Sequence, residues 1–243
     1  MSKLKVPSVQ HLARNWKPTS ADVKKKLISL AKDPPQFSYQ RLFGAVRDMF
    51  VLGVPYDQIF EGIRRAEKRA WVRENLLEIL PLLRSHFETI EPDGPPNQVA
   101  RRYYRLDHDI KIPFEAPLEY SVGGQKYFPW FSFWRSNPLA DKRLSLFVTL
   151  VDELLLEDPD LDTAIFQILE FSRIEGAEER QLQVIDARDI ARLNDAEKLK
   201  MPGIFADGYR AARDELAGVK HKTSKRDNDR RPDPKQSDLF NET

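Results

Sequence analysis

Leu118-Glu119-Tyr120-Ser121-Val122-Gly123-Gly124-Gln125-Lys126-Tyr127-Phe128-Pro129-Trp130-Phe131-Ser132-Phe133-Trp134 is the stretch that decides the fold class. Adjacent glycines accept the positive φ angles that a two-residue hairpin turn demands, so Gly123-Gly124 joins a strand over 118–122 to one over 126–134. Alternate residues of a strand point to opposite faces. Phe128, Trp130 and Trp134 share one face with Ser132, while Tyr127, Phe131 and Phe133 share the other. Both faces are apolar, which predicts a strand buried on both sides. The same glycine pair, followed by Gln125-Lys126, lacks the spacing and the strand-to-helix setting of a phosphate-binding loop.

Outward from this hairpin, residues 99–134 stay rich in strand-forming aromatics, among them Tyr103, Tyr104 and Phe114, until Asn137-Pro138 stops the run. Residues 141–157 form a helix, with Leu144, Phe147, Val148, Val151, Leu154 and Leu155 at helical spacing. Residues 163–173 suit a helix or a strand, and pairing with a short strand over 181–187 across the polar 174–180 favours an antiparallel hairpin. Two helices, 187–198 and 203–216, close the domain. After Gly218 hydrophobic residues nearly vanish for twenty positions, too few to bury and order the segment.

Upstream, Glu91-Pro92-Asp93-Gly94-Pro95-Pro96 cannot continue a helix and marks the best internal boundary. Before it the periodicity is helical: 21–32 behind Ser20, 38–52, and, past the break at Gly53-Val54-Pro55, 56–70 and 71–87 with a kink at Pro81. The expectation is an α+β protein: a helical unit over 1–90, an aromatic-rich antiparallel sheet with packed helices over 97–217, and a disordered tail over 218–243.

The 243 residues are 41% hydrophobic and 32% charged, with a mean hydropathy of -0.56. No run approaches the ~18 apolar residues of a membrane helix. The first five residues carry two lysines but lead into no apolar segment, so neither a span nor a signal peptide is expected and a cytoplasmic location is. The absence of cysteine excludes disulfides, thiolate zinc sites, iron–sulfur clusters and a cysteine nucleophile. The net charge of +1 hides segregation: +7 over 1–90, −8 over 91–217 and +2 over 218–243. Such asymmetry implies an anionic partner for the first part or mutual docking of the two parts.

Four constellations carry chemistry. Residues 47–73 read as a loose helix-turn-helix whose second helix presents Arg64, Arg65, Lys68, Arg69 and Arg73 to phosphates, although Glu61, Glu67 and Glu74 interleave as on any solvated helix. Asp107-His108-Asp109 offers three metal ligands, with His86 upstream, yet neighbours on a strand diverge, so they converge only in a loop. Tyr103, Tyr104 and the 127–134 aromatics, interleaved with Arg101, Arg102, Arg105, Lys126 and Arg135, suit single-strand stacking, with burial in a core as the competing reading. Finally, Pro159-Asp160, Asp162, Glu170 with Ser172, and Asp186 with Arg188 resemble the acidic pattern of restriction-endonuclease-like nucleases. That resemblance implies Mg²⁺ held by Asp160, Glu170 and Asp186; the expected hairpin, read from the residues, sets Glu170 opposite Asp186 across its strands. Ser172 stands where that family has lysine.

The tail differs in kind. Gln236-Ser237-Asp238-Leu239-Phe240, behind a charged, proline-bearing linker, resembles the pentapeptide by which bacterial proteins dock on the β sliding clamp of DNA polymerase III. In those motifs a glutamine opens, a small or acidic residue stands third and Leu-Phe closes. Gln236, Asp238, Leu239 and Phe240 match, and Ser237 stands where leucine is common. The likeness covers five of 243 residues. It implies a clamp-recruited accessory protein of bacterial DNA replication, repair or defence. A DNA-binding regulator using 47–73 and a Mg²⁺-dependent nuclease using 153–188 are the alternatives; no catalytic residue is identified, and no cofactor apart from the nuclease's Mg²⁺.

Overall fold

The computed structural model describes residues 4–35, 38–174 and 176–228, the last ten by backbone alone. Six helices come first: α1 (Val9–Asn15), α2 (Ser20–Lys32), α3 (Gln40–Phe50), α4 (Tyr56–Ala66), α5 (Ala70–Leu77) and α6 (Leu80–Glu88). Then follow β1 (Arg102–Asp107), β2 (Ile110–Phe114), β3 (Tyr120–Val122), β4 (Gln125–Ser132), α7 (Lys142–Leu156), β5 (Ile165–Glu170), β6 (Gln183–Asp186) and α8 (Asp195–Asn228). The class is α+β.

The central sheet has the order β3-β4-β5-β6, and β1 with β2 forms a separate antiparallel ribbon. Both expected hairpins are present: β3 pairs antiparallel with β4, and β5 with β6. The middle pair is a correction to an all-antiparallel sheet. β4 and β5 run parallel, because α7 crosses over between them.

Burial on both faces of β4 is met in full. Phe128 and Trp130 join Phe166 and Ile168 of β5 in one core with Phe147, Leu150 and Val151 of α7, Leu12 of α1, Leu27 of α2 and Phe205 of α8. Phe131 and Phe133 join Leu169 and Phe171 in a second core with Leu42 and Val46 of α3, Ile63 of α4, Leu76 of α5 and Leu83 of α6. The first ninety residues therefore cover opposite faces of the sheet: α1 and α2 one, α3–α6 the other.

Local chemistry sets the helix limits. The Thr19 hydroxyl, rather than Ser20, caps α2 by accepting from the Asp22 N–H at 3.2 Å. Pro81 does not kink a continuous helix; it stands in the first turn of α6, where its missing N–H costs nothing, and α5 ends at Leu77. The short amphipathic α1 has no counterpart in the expectation from sequence. The two expected closing helices are instead a 3-10 turn (Ala187–Asp189) and one 34-residue helix containing Pro202, which passes Gly218 and reaches Asn228.

Residues 91–96 brace the sheet. The Asp93 carboxylate accepts from the N–H groups of Gly123 and Gly124, each at 2.8 Å, and the Asp93 N–H donates to the Ser121 carbonyl at 2.8 Å. Both glycines hold positive φ, 58° and 77°. The nest of N–H groups that such a turn offers an anion is filled by the chain's own carboxylate. Among the described residues no helix is long and apolar enough to cross a membrane.

Candidate functional site

The sequence candidates disperse. Arg64 and Arg65 lie on α4 and share Glu61, Arg64 by a hydrogen bond of 2.8 Å and Arg65 by an ion pair of 3.5 Å. Helix α4 ends at Ala66, so Lys68 and Arg69 fall in the connection and Arg73 on α5, correcting the idea of one basic recognition helix. Arg69 is turned onto Glu67 at 3.1 Å, and Arg73 donates to the Glu67 carbonyl at 3.2 Å. Arg69 and Arg73 thus tie the α4–α5 turn together, while Arg64 and Arg65 pair within α4.

The acidic candidates separate as well. In the β5–β6 register Glu170 stands opposite Gln183 and Asp186 opposite Gln167, so the two carboxylates do not face one another. Asp186 is held by Arg188 at 2.6 Å, which keeps its carboxyl below the usual range, and Asp160 is exposed on the loop before β5. Glu170 is buried where β5 ends. Its oxygens accept from the Ser172 hydroxyl at 2.6 Å and the Asn137 amide at 2.8 Å, and burial pushes its carboxyl above the usual range, against the pull of Ser172.

Asp107, His108 and Asp109 do converge in the β1–β2 turn, with donor atoms within 4.8 Å, the one such group among the described residues. Arg210 of α8 bonds both carboxylates, Asp109 at 2.7 Å, and Arg213 reaches Asp109 at 3.3 Å. A guanidinium thus supplies the positive charge that a metal ion would. These bonds hold Asp107 and Asp109 well below the carboxylate range and pin the ribbon to α8. His86 lies apart, on α6.

Of the aromatic candidates, the 127–134 run is core, but the ribbon keeps an outer face. Tyr103, Arg105 and Lys111 are exposed there, and Arg105 stands directly across from Lys111. Tyr104, on the inner side, donates to Glu153 of α7 at 2.9 Å, and Arg102 pairs with Asp158.

A separate concavity lies between α5 and the carboxyl ends of the parallel strands β4 and β5. Tyr39, Trp71, Glu74, Asn75, Glu78, Arg135 and Arg173 line a cleft of about 520 Å³. In open sheets with parallel strands this end is where ligands collect. Backbone pairing outlasts the strands, since the Phe171 N–H donates to the Ser132 carbonyl at 2.9 Å and the Arg173 N–H to the Arg135 carbonyl at 3.0 Å. Arg135 and Arg173 therefore emerge side by side.

Arg180, with its side chain fully buried, forms the floor. Its guanidinium donates to the carbonyls of Phe133 at 3.1 Å, Trp134 at 3.2 Å and Phe171 at 2.6 Å, and to the Asn75 side chain, and its Nε stands 3.4 Å from Glu78. Burying an unpaired charge costs several kcal/mol, of order; here the bonds at both strand ends and one carboxylate offset it. Glu78 is shared, accepting from Arg173 at 3.1 Å and from the Arg180 N–H at 3.2 Å.

In the sequence Arg135 stands out only as part of an aromatic and basic run. Trp71, Asn75, Glu78, Arg173 and Arg180 carried no signal of their own. The one available cue is that both apolar strands end on an arginine, at Phe133-Trp134-Arg135 and Phe171-Ser172-Arg173. Gln236, Asp238, Leu239 and Phe240 lie outside the described residues. No family model matches the chain, and no curated protein is similar to it in sequence.

Proposed function

We propose that this chain is a clamp-recruited accessory protein of bacterial DNA replication, repair or defence, which docks on the β sliding clamp through Gln236-Ser237-Asp238-Leu239-Phe240. One observation carries the reading: Leu239 and Phe240 are the only large apolar residues after Val219, and they close a pentapeptide with glutamine and aspartate in the matching places. Burying the two side chains in an apolar pocket contributes ~1.5–3 kcal/mol each. Hydrogen bonds from Gln236 and the backbone add ~1 kcal/mol apiece. Ordering the segment costs ~2–5 kcal/mol in return. A dissociation constant on the order of micromolar is the affinity expected of a short docking peptide of this kind, enough for recruitment to a ring with several pockets.

Seven residues separate Asn228 at the end of α8 from Gln236, a short tether that keeps the folded body close to the clamp and its DNA. Titrating a 231–243 peptide against purified clamp, beside a Leu239→Ala, Phe240→Ala peptide, tests the reading. Equal binding by the two peptides, or none by the native one at high micromolar concentration, removes it. The alternatives have less behind them: the basic residues of 47–73 divide between α4, its connection and α5, and the carboxylates of the Mg²⁺ nuclease stand apart on β5, β6 and the loop before them.

A further inference from the structure

We propose that the outer face of the β1–β2 ribbon binds single-stranded nucleic acid, with a backbone phosphate held between Arg105 and Lys111 and a base against the Tyr103 ring.

The charges come first. Arg105 and Lys111 stand directly opposite one another in the ladder, and both are exposed. Opposed residues of an antiparallel pair have Cβ atoms only ~4.5–5.5 Å apart, and like charges so placed destabilise a sheet. Neither cation has a carboxylate partner among the described residues. The acids of the ribbon are engaged elsewhere: Arg210 bonds Asp107 and Asp109, and Arg101 pairs with Glu115. Glu157, just past α7, lines the same recess of about 320 Å³ without pairing to either cation. This unpaired couple lies in the segment 91–217, whose net charge is −8. Two cations held at this spacing offer donors to one anion from two sides, and the anion removes their repulsion.

The neighbouring rung of the ladder is aromatic. Tyr103, two residues from Arg105 and so on the same face, is 52% exposed and stands across from Pro113. Arg101 holds the Tyr103 hydroxyl, which fixes the ring and leaves it open to solvent. An exposed ring beside a pair of phosphate-binding cations is the arrangement on which bases of any sequence stack. The mount is firm. Ile110, Ile112 and Phe114 are buried in the core beneath it, Tyr104 donates to Glu153 at 2.9 Å, and Arg102 pairs with Asp158. A duplex keeps its base faces stacked inside, and an acidic peptide has no bases. A single strand supplies both a phosphate and an open base face.

Fluorescence anisotropy of the full chain with labelled oligothymidylate and oligouridylate tests the proposal, and the tighter of the two assigns the face to DNA or to RNA. Either strand should bind at least about tenfold more tightly than a duplex of the same length or polyglutamate. The Arg105→Ala, Lys111→Ala chain should bind at least about tenfold more weakly. Its slope of log affinity against log salt should flatten by ~0.7 for each phosphate released. With the repulsion gone, its melting temperature should equal or exceed the native one. Tyr103→Leu should weaken binding about fivefold or more and leave the salt slope unchanged. The Leu239→Ala, Phe240→Ala chain should bind strands as the native chain does, which keeps this result separate from the clamp reading. The proposal fails if neither strand binds at high micromolar concentration, or if duplex or polyglutamate binds as tightly. It fails equally if the ribbon variants bind like the native chain, or if the double variant loses binding together with a lower melting temperature.

Discussion

Gly208 lies where α8 crosses α2, and a methyl group there would stand 2.6 Å from Val23 Cβ and Cγ1 and 2.8 Å from the Ser20 carbonyl oxygen. One of those contacts is backbone, so the helices must part. Gly208→Ala should cost ~1–3 kcal/mol, the scale of overpacking in a tight core, read as a fall in the urea midpoint with an unchanged slope. A rise in stability, as expected for glycine to alanine in an open helix, would contradict the crossing. Glu170 makes the opposite case. Its carboxyl is raised by burial, so the folded state holds the proton more tightly than the unfolded chain, and stability present below the unfolded value is lost as pH rises through the raised one. In Glu170→Gln the amide oxygen can accept from Asn137 while the amide nitrogen donates to Ser172. That variant should equal the native chain near pH 4 and exceed it in stability near neutrality, measured by denaturant unfolding across pH. Lower stability at neutral pH, with rescue of the native chain by Mg²⁺, would instead show a metal-binding carboxylate.

At the scale of elements, the β3–β4 hairpin and the segment before it stand or fall together. Asp93 fills the N–H nest of Gly123-Gly124 with two bonds of 2.8 Å, so Asp93→Ala leaves both donors to water and should cost ~1–2 kcal/mol. Asp93→Asn, with one acceptor oxygen left, should lose about half of that. Equal stability of all three chains would show that the turn holds itself. The hairpin was legible because Gly-Gly between apolar runs admits few alternatives, and the two-faced burial of Phe128, Trp130, Phe131 and Phe133 followed from alternation alone. The brace was not legible. Prolines and glycine at 92–96 carry the same local signal whether the chain leaves a domain or is strapped to it, and Asp93 is thirty residues from its partners. The parallel pairing of β4 with β5 escaped for a similar reason, because strand direction is set by where α7 packs. The cleft was invisible because Tyr39, Trp71, Glu78, Arg135, Arg173 and Arg180 meet only after both strands are placed.

At the scale of the whole molecule, the sheet is sandwiched by helices from the amino-terminal ninety residues on both sides. A 1–90 fragment would leave the faces of α1 and α2 and those of α3–α6 without the surfaces that cover them. It should show no cooperative melt, whereas the intact chain should unfold in one transition. A sharp independent transition for 1–90 would establish a separate unit. The same architecture frames the functional proposal, in which the folded body carries the cleft and the ribbon and α8 precedes the pentapeptide proposed to bind the clamp.

The most direct test of that account is isothermal titration of the full-length chain into purified bacterial β clamp, beside the Leu239→Ala, Phe240→Ala chain. The account predicts a dissociation constant on the order of micromolar, with the double variant weaker by at least about tenfold and its melting temperature unchanged. Absence of binding by the native chain, or equal affinity of the two chains, would contradict clamp recruitment.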